Sequence, residues 1–252
     1  MIECRSIHQS YGTIKVLKGI TVRIETGESF ALIGPNGAGK TTLFKVLTGE
    51  VPANSGTIHM DGRDITSLDA SARVHLGVGR TFQVARIMSS NTVSENLIIA
   101  IEARMRSRHE PQPFRLSPSP SVVEEAEAMA LRLGLENKLQ DPASFLSHGD
   151  RKRLELGITL SLKPRILMMD EPTAGMSSAD RSSTIDMILR LREEDSLTMM
   201  LTEHDMEVVS NLCDRVMVMN YGEQVAVGTF AEIQQNSAVR EIYLGEEEFD
   251  LA

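Results

Sequence analysis

Cysteine is scarce: Cys4 and Cys213 are the only two in 252 residues, far apart and in neither metal-ligand nor redox spacing. That excludes a disulfide scaffold and a thiolate metal centre, and it suits a reducing compartment with both thiols inert. Long apolar runs are missing too. No stretch approaches the ~18–20 apolar residues that span a bilayer, and the opening MIECRSIHQS has no apolar centre of a signal peptide. Any attachment to a membrane is therefore expected to run through other subunits. Positive charge is also in deficit: 26 Lys and Arg against 35 Asp and Glu leave a net charge of -9. That is the wrong sign for non-specific binding to nucleic acid or anionic lipid. No internal repeat is visible.

What is present is enough apolar material, 41% of the chain, for one large α/β domain or a core with a subdomain. Met168, Met169, Met199, Met200, Met217 and Met219 fall in short apolar runs without His or Cys at ligand spacing, which reads as flexible core filler. TVRIETGESFALIG alternates, turns at Gly27 and becomes continuously apolar, the pattern of an edge hairpin feeding a buried strand. A helix is expected from Lys40 to about Thr48, stopped by Gly49, then a strand and turn in SGTIHMDGRDI and a capped helix in SLDASARVHLG. From about 88 to 163 the pattern is mainly helical and reads as an inserted helical subdomain. Within it, HEPQPFRLSPSPS has four prolines and three serines and is expected to be an exposed loop, with Arg104, Arg106, Arg108 and Arg115 as a solvated face around it. After Pro164, strand and helix alternate again through RILMMD, a helix from about Ser178 to Glu194, LTMMLTEH, a helix around Val208, DRVMVMN and EQVAVG. Apolar strands separated by helices imply a parallel sheet covered on both faces, with ligands at the C-terminal strand ends.

Two motifs carry chemistry. GPNGAGKT fits G-x-x-x-x-G-K-[ST] between a strand and a helix. Its glycines let successive N–H groups surround phosphates, Lys40 reaches the β and γ phosphates, and the Thr41 hydroxyl can ligate Mg²⁺. RILMMDE is an apolar strand ending in two carboxylates, Asp170 for the Mg²⁺ shell and Glu171 to orient or deprotonate a water. A third stretch, FLSHGDRKRLELG, sets Ser147 three residues before Asp150, the spacing of a capping box. The same helix N-terminus is also suited to an anion.

In this order the motifs resemble the ATPase subunit of an ATP-binding cassette (ABC) transporter over nearly the full length. The resemblance implies an α/β phosphate-loop NTPase fold: a mainly parallel core sheet, an antiparallel β subdomain and an inserted helical subdomain. Residues 1–87 and 164–230 would form the core and β subdomain, 88–163 the helical subdomain, and 231–252 a C-terminal helix and acidic tail. It also implies ATP as substrate and Mg²⁺ as cofactor. Gly34, Pro35, Asn36, Gly37, Ala38, Gly39, Lys40, Thr41 and Thr42 would bind ATP, and Tyr11 would stack on adenine. Leu146, Ser147, His148, Gly149 and Asp150 correspond to the family's LSGGQ-like signature, which contacts the γ-phosphate held by the other subunit of a head-to-tail dimer. Gln83 in GRTFQ resembles the glutamine that contacts Mg²⁺ and the water, and His204 in LTEHD the switch histidine. The catalytic set implied is thus Glu171, His204 and Gln83, and the metal set Thr41, Gln83 and Asp170.

This chain departs from the family pattern at His148, commonly glycine, at Asp150, commonly Gln or Glu, and at Ser177, often aspartate. GRTFQVARIMSSNTVSENL, DEPTAGM, TEHDMEVV and REIYLG resemble ATPases of branched-chain amino acid importers, a group similar to importers of urea, amides and aromatic acids. The implied partners are transmembrane permease subunits, a second ATPase subunit in a homo- or heterodimer, and an extracytoplasmic solute-binding protein, with no nucleic acid. The implied location is peripheral, on the cytoplasmic face of the membrane. Two other classes stand beside this reading: a soluble cassette protein in DNA repair or translation, and a small-molecule kinase sharing only the phosphate loop.

Overall fold

The computed structural model describes residues 1–108 and 117–243. Arg115, with the rest of 109–116 at the start of the proline-serine stretch, and the acidic tail lie outside them. The chain starts with two long strands, β1 (Ile2–Tyr11) and β2 (Ile14–Ile24), joined by a two-residue turn. β3 (Ser29–Ile33) and α1 (Lys40–Thr48) follow, then β4 (Ser55–Met60), β5 (Arg63–Asp64), α2 (Ala70–His75) and β6 (Val78–Arg80). Three helices come next, α3 (Val93–Ser107), α4 (Pro120–Leu133) and α5 (His148–Ser161), the last preceded by short 3₁₀ turns at Glu136–Lys138 and Ala143–Phe145. β7 (Ile166–Asp170), α6 (Ser178–Asp195), β8 (Thr198–Thr202), α7 (Met206–Leu212), β9 (Arg215–Asn220), β10 (Glu223–Gly228), α8 (Phe230–Gln235) and α9 (Ser237–Ile242) complete the fold.

The strands form two sheets. One is antiparallel, in the order β2-β1-β4-β5; the other runs β10-β9-β3-β8-β7-β6 and is parallel except for β10 at its edge. The expected hairpin across Gly27 does not form. β2 pairs with β1 in the first sheet, whereas β3 lies between β8 and β9 in the second. The reason is burial: all five β3 residues are buried, so the strand needs hydrogen-bonded neighbours on both edges, and an edge hairpin supplies one.

β3 divides the core. Ala31 and Ile33 face a layer of helices α3 to α7, while Phe30 and Leu32 face α1 and the antiparallel sheet. The methionines follow the same period of two: Met169 and Met199 enter the helical layer, Met168 and Met200 the other. α3, α4 and α5 pack on one another beside this core. Arg104 is not on a solvated face. It is 5% exposed and grips Glu125 of α4 with two bonds of 2.7 and 2.8 Å while donating to the Ser161 carbonyl on α5 at 2.8 Å. Its position on α3 points it at a carboxylate that matches its guanidinium fork, so it clamps three helices. Pro120 likewise leaves the expected loop and opens α4, where a missing N–H costs no hydrogen bond.

Candidate nucleotide site at the C-terminal edge of the parallel sheet

The phosphate loop connects β3 to α1. Gly34 sits at φ +146°, and a Cβ there would fall 2.1 Å from the Met219 carbonyl oxygen, so only glycine lets the loop pass β9 this closely. The Ala38 carbonyl accepts from Gly222 N at 2.9 Å, which fixes the loop to the β9–β10 turn. At the start of α1 the cap is Gly39, with no side-chain capping bond and no acidic residue in the first turn. Helix N–H groups left without a side-chain acceptor form a positive end suited to phosphate. Lys40 is 8% exposed and its ammonium donates to the carbonyls of Gly34 and Pro35, so it lies along the loop. Thr41 is exposed and Thr42 half-buried. Tyr11, about half exposed, stands at the tip of the β1–β2 hairpin, and Val16 of that hairpin abuts Gly39; the tip therefore lies on the phosphate-loop side.

The next strand ends converge on one carboxylate. Glu171 follows β7 with φ +49°, a left-handed conformation held by its N–H donating to the Thr202 carbonyl at 3.0 Å. Such backbone costs of order 1–3 kcal/mol for a non-glycine residue and aims the side chain away from the strand direction. Gln83 Nε2 donates to one Glu171 oxygen at 3.0 Å, and His204 Nε2 lies 3.0 Å from the other. A carboxylate only accepts, so Nε2 carries the hydrogen. Residues 88 and 33 positions from Glu171 thus meet on its two oxygens. Asp170 is oriented by Thr202 Oγ1 at 2.7 Å and Arg80 Nη2 at 3.4 Å.

Leu146 is buried, while Ser147 and His148 are exposed and a Cβ on Gly149 would meet nothing within 4 Å. The capping box is only half made. Ser147 Oγ accepts from Asp150 N at 3.1 Å, but the Asp150 carboxylate takes the Ser147 hydroxyl at 2.8 Å and Lys138 instead of the Ser147 N–H. Aspartate is one methylene shorter than the glutamate of a full box. Burial works against the charge on Asp150, but Lys138 and Ser147 outweigh it and hold the carboxyl below its usual range. Among the described residues none of these bonds reaches the phosphate loop. Ser177 caps α6 by accepting from Asp180 N at 3.2 Å. Beside it, the His148 ring packs on Gly175, where a Cβ would come within 3.3 Å of its Cε1.

Among the residues that hold the site, sequence reasoning missed Arg80 and Glu203. Arg80 is sandwiched between the rings of Phe44 and Phe82, 4.9 and 4.8 Å from their centroids, and pairs with Glu50 and Asp170. Glu203 is 4% exposed; it accepts Thr173 N at 3.1 Å, Thr173 Oγ1 at 2.7 Å and His204 N at 3.2 Å, tying the segment after β7 to the one after β8. Burial pushes its carboxyl up against those bonds. The only sequence signal for either was a charge directly at the end of an apolar strand.

The phosphate loop and the carboxylate-ended strand, separated by β8 on the same sheet edge, define a nucleotide-binding ATPase. Residues 17–174 match the family model described as ABC transporter, and 223–248 match one described as branched-chain amino acid ATP-binding cassette transporter. The chain belongs to the ABC transporter family, as an ATP-binding cassette ATPase. It is 33% identical over 251 residues to the high-affinity branched-chain amino acid transport ATP-binding protein BraF of Pseudomonas aeruginosa, covering 98% of each chain. Against the corresponding protein LivG of Salmonella typhimurium it is 34% identical, again over 98% of each. A crystal structure of the ADP conformation of an ATP-binding cassette of an ABC transporter superposes with a TM-score of 0.85 at 30% identity, covering 98% of this chain and 99% of that one.

Proposed function

We propose that the chain is the ATP-hydrolysing subunit of an importer of branched-chain amino acids or related small polar solutes, driving separate transmembrane subunits from the cytoplasmic face of the membrane. The observation that carries the reading is the meeting of Gln83 and His204 on the two oxygens of Glu171, on the same sheet edge as a helix N-terminus open to phosphate. In the proposed reaction, water attacks the γ-phosphorus of ATP in line with the leaving oxygen, and Glu171 orients the water and accepts its proton. Gln83 and His204 hold that carboxylate and stand where water and γ-phosphate would lie; the loop from Gly34 to Thr42 holds the phosphates and Tyr11 the base. Thr41, Gln83 and Asp170 offer oxygen donors of the kind Mg²⁺ takes, and Asp170 is already oriented by Thr202 and Arg80. When bound, the ion would neutralise charge on the transferring phosphoryl group.

The exposed Ser147 end of α5, open above Gly149, supports a site completed by a second ATPase subunit across a head-to-tail interface, with Leu146 to Asp150 meeting the partner's nucleotide. ATP binding and dimerisation would then be linked. We assign 88–163 to a helical unit borne by the core formed from 1–87 and 164–230. Between α2, β6 and α5 runs a groove of about 350 Å³ lined by Val74, Val78, Phe82, Arg86, Ile158 and Leu162. It opens beside Gln83 and suits a permease segment. No helix among the described residues is long and apolar enough to cross a membrane, so the permease would be separate chains.

The test is to express tagged Glu171→Gln protein in its native cell, extract membranes with ATP and Mg²⁺, and identify what co-purifies. Two polytopic membrane proteins and a second ATPase are expected. Recovery with ribosomes or DNA factors and no membrane protein would refute the importer reading. Loss of leucine, isoleucine and valine uptake on expression of the variant would fix the solute class, and unchanged uptake would exclude these solutes.

A further inference from the structure

Between Phe82 and Ile87 the chain is in neither helix nor strand, and this is the segment that carries Gln83. Among the described residues its backbone makes three hydrogen bonds, all to two side chains of α5. Glu155 Oε1 accepts from Phe82 N at 3.2 Å and from Arg86 N at 2.9 Å, and Lys152 Nζ donates to the Phe82 carbonyl at 3.0 Å. Gln83 is thus bracketed by two amides that share one oxygen. Both side chains are buried, Glu155 at 3% and Lys152 at 6% exposure, and Glu155 Oε2 has no hydrogen-bond partner. A buried carboxylate with an unmatched oxygen costs free energy. α5 is also the helix that begins at His148, one turn before Lys152. Glu155 further lines both the groove beside β6 and the small cavity bounded by Met169 and Pro172, next to Glu171.

We infer that Glu155, with Lys152, is a positioning residue for Gln83, strapping the Gln83 segment to the helix that presents Ser147 so that the two ends of the site move together. The inference rests on the ATPase reading above. A shift of α5, produced by a nucleotide at its N-terminus or an occupant of the groove, carries the amides of Phe82 and Arg86 with it and changes how Gln83 meets Glu171. In the reverse direction, a contact on Arg86 or Phe82 is passed to α5. Burial pushes the Glu155 carboxyl up and the Lys152 ammonium down, while each favours the charge of the other.

The experiment uses the full chain as wild type, Glu155→Ala, Glu155→Gln and Lys152→Met, with steady-state hydrolysis, ADP affinity and hydrogen exchange with and without ATP. Removing acceptor bonds from two amides is expected to lower kcat by at least about tenfold while ADP affinity stays within about threefold. Glutamine keeps an acceptor oxygen, and is expected to restore most of kcat. In Glu155→Ala, exchange at 82–86 should rise about tenfold and no longer respond to ATP, while 148–152 still responds. Should that variant not fold, Lys152→Met, which removes the bond to the Phe82 carbonyl, carries the same exchange readout, while Glu155→Gln is expected to exchange and respond as wild type. Peptide 82–86 responding to ATP in every variant as in wild type, or kcat and ADP affinity falling in proportion, would overturn the strap. A wild-type protein whose phosphate-loop peptides show no response to ATP would instead remove the ATPase reading itself.

Discussion

Glu171→Gln is the sharpest perturbation, because it changes one atom of the carboxylate on which the site converges. In the wild type both Glu171 oxygens accept, one from Gln83 and one from His204. The amide offers one acceptor and one donor, so one of those contacts becomes donor against donor until Gln83 turns its amide or His204 changes tautomer. The amide also cannot take a proton from water. General-base catalysis contributes about 10²–10⁴-fold, which corresponds to about 3–5 kcal/mol of barrier. We expect kcat to fall by that factor. The phosphate loop is held by Met219, Gly222 and its own carbonyls, none of which involves Glu171, so ATP affinity should stay within about threefold. The backbone at φ +49° is the same for both side chains, so the melting temperature should change little. Phosphate release would be followed in single-turnover and steady-state assays, and nucleotide affinity by calorimetry. A kcat within about threefold of wild type would refute the assignment of Glu171 as the base.

Gly34→Ala places a Cβ 2.1 Å from the Met219 carbonyl oxygen and should cost more than about 2 kcal/mol and abolish ATP binding; denaturant unfolding and calorimetry would check this. Arg104 holds the Glu125 carboxyl below its usual range, so that pair contributes stability above the ordinary glutamate pKa of about 4.3 and loses it as pH falls through the lowered value. Glu125→Gln should therefore lower the melting temperature at pH 7 and flatten its acid arm, and a parallel shift at all pH would contradict the linkage. Gly175 has φ +75°, so Gly175→Ala should destabilise by about 1 kcal/mol, whereas His148→Ala, removing an exposed ring, should cost under about 0.5 kcal/mol. The double variant should not recover stability, because the strain lies in the backbone; recovery would show that the ring contact was the cause.

What the sequence by itself determined is local. α1 starts and stops where Lys40 and Gly49 stand, because a left-handed glycine terminates a helix whatever surrounds it. The phosphate loop and the Asp170–Glu171 pair are contiguous stretches whose chemistry is carried by residue type and spacing. The paired methionines were legible as core because apolar runs of strand length have no other place to go.

Only the tertiary structure decided the rest. β2 and β3 separate into different sheets, since strand pairing depends on which distant strands supply neighbours. Arg104 is a buried clamp instead of a surface charge, because Glu125 comes to it from another helix. Arg80, Glu155 and Glu203 acquire their roles from partners far along the chain, and a charged residue in an ordinary sequence context carries no mark of them. Gln83, Glu171 and His204 were legible as separate residues, but it is the parallel sheet, setting their strand ends side by side, that puts two donors on one carboxylate. Sequence specifies the groups, and long-range pairing sets the distances at which they act.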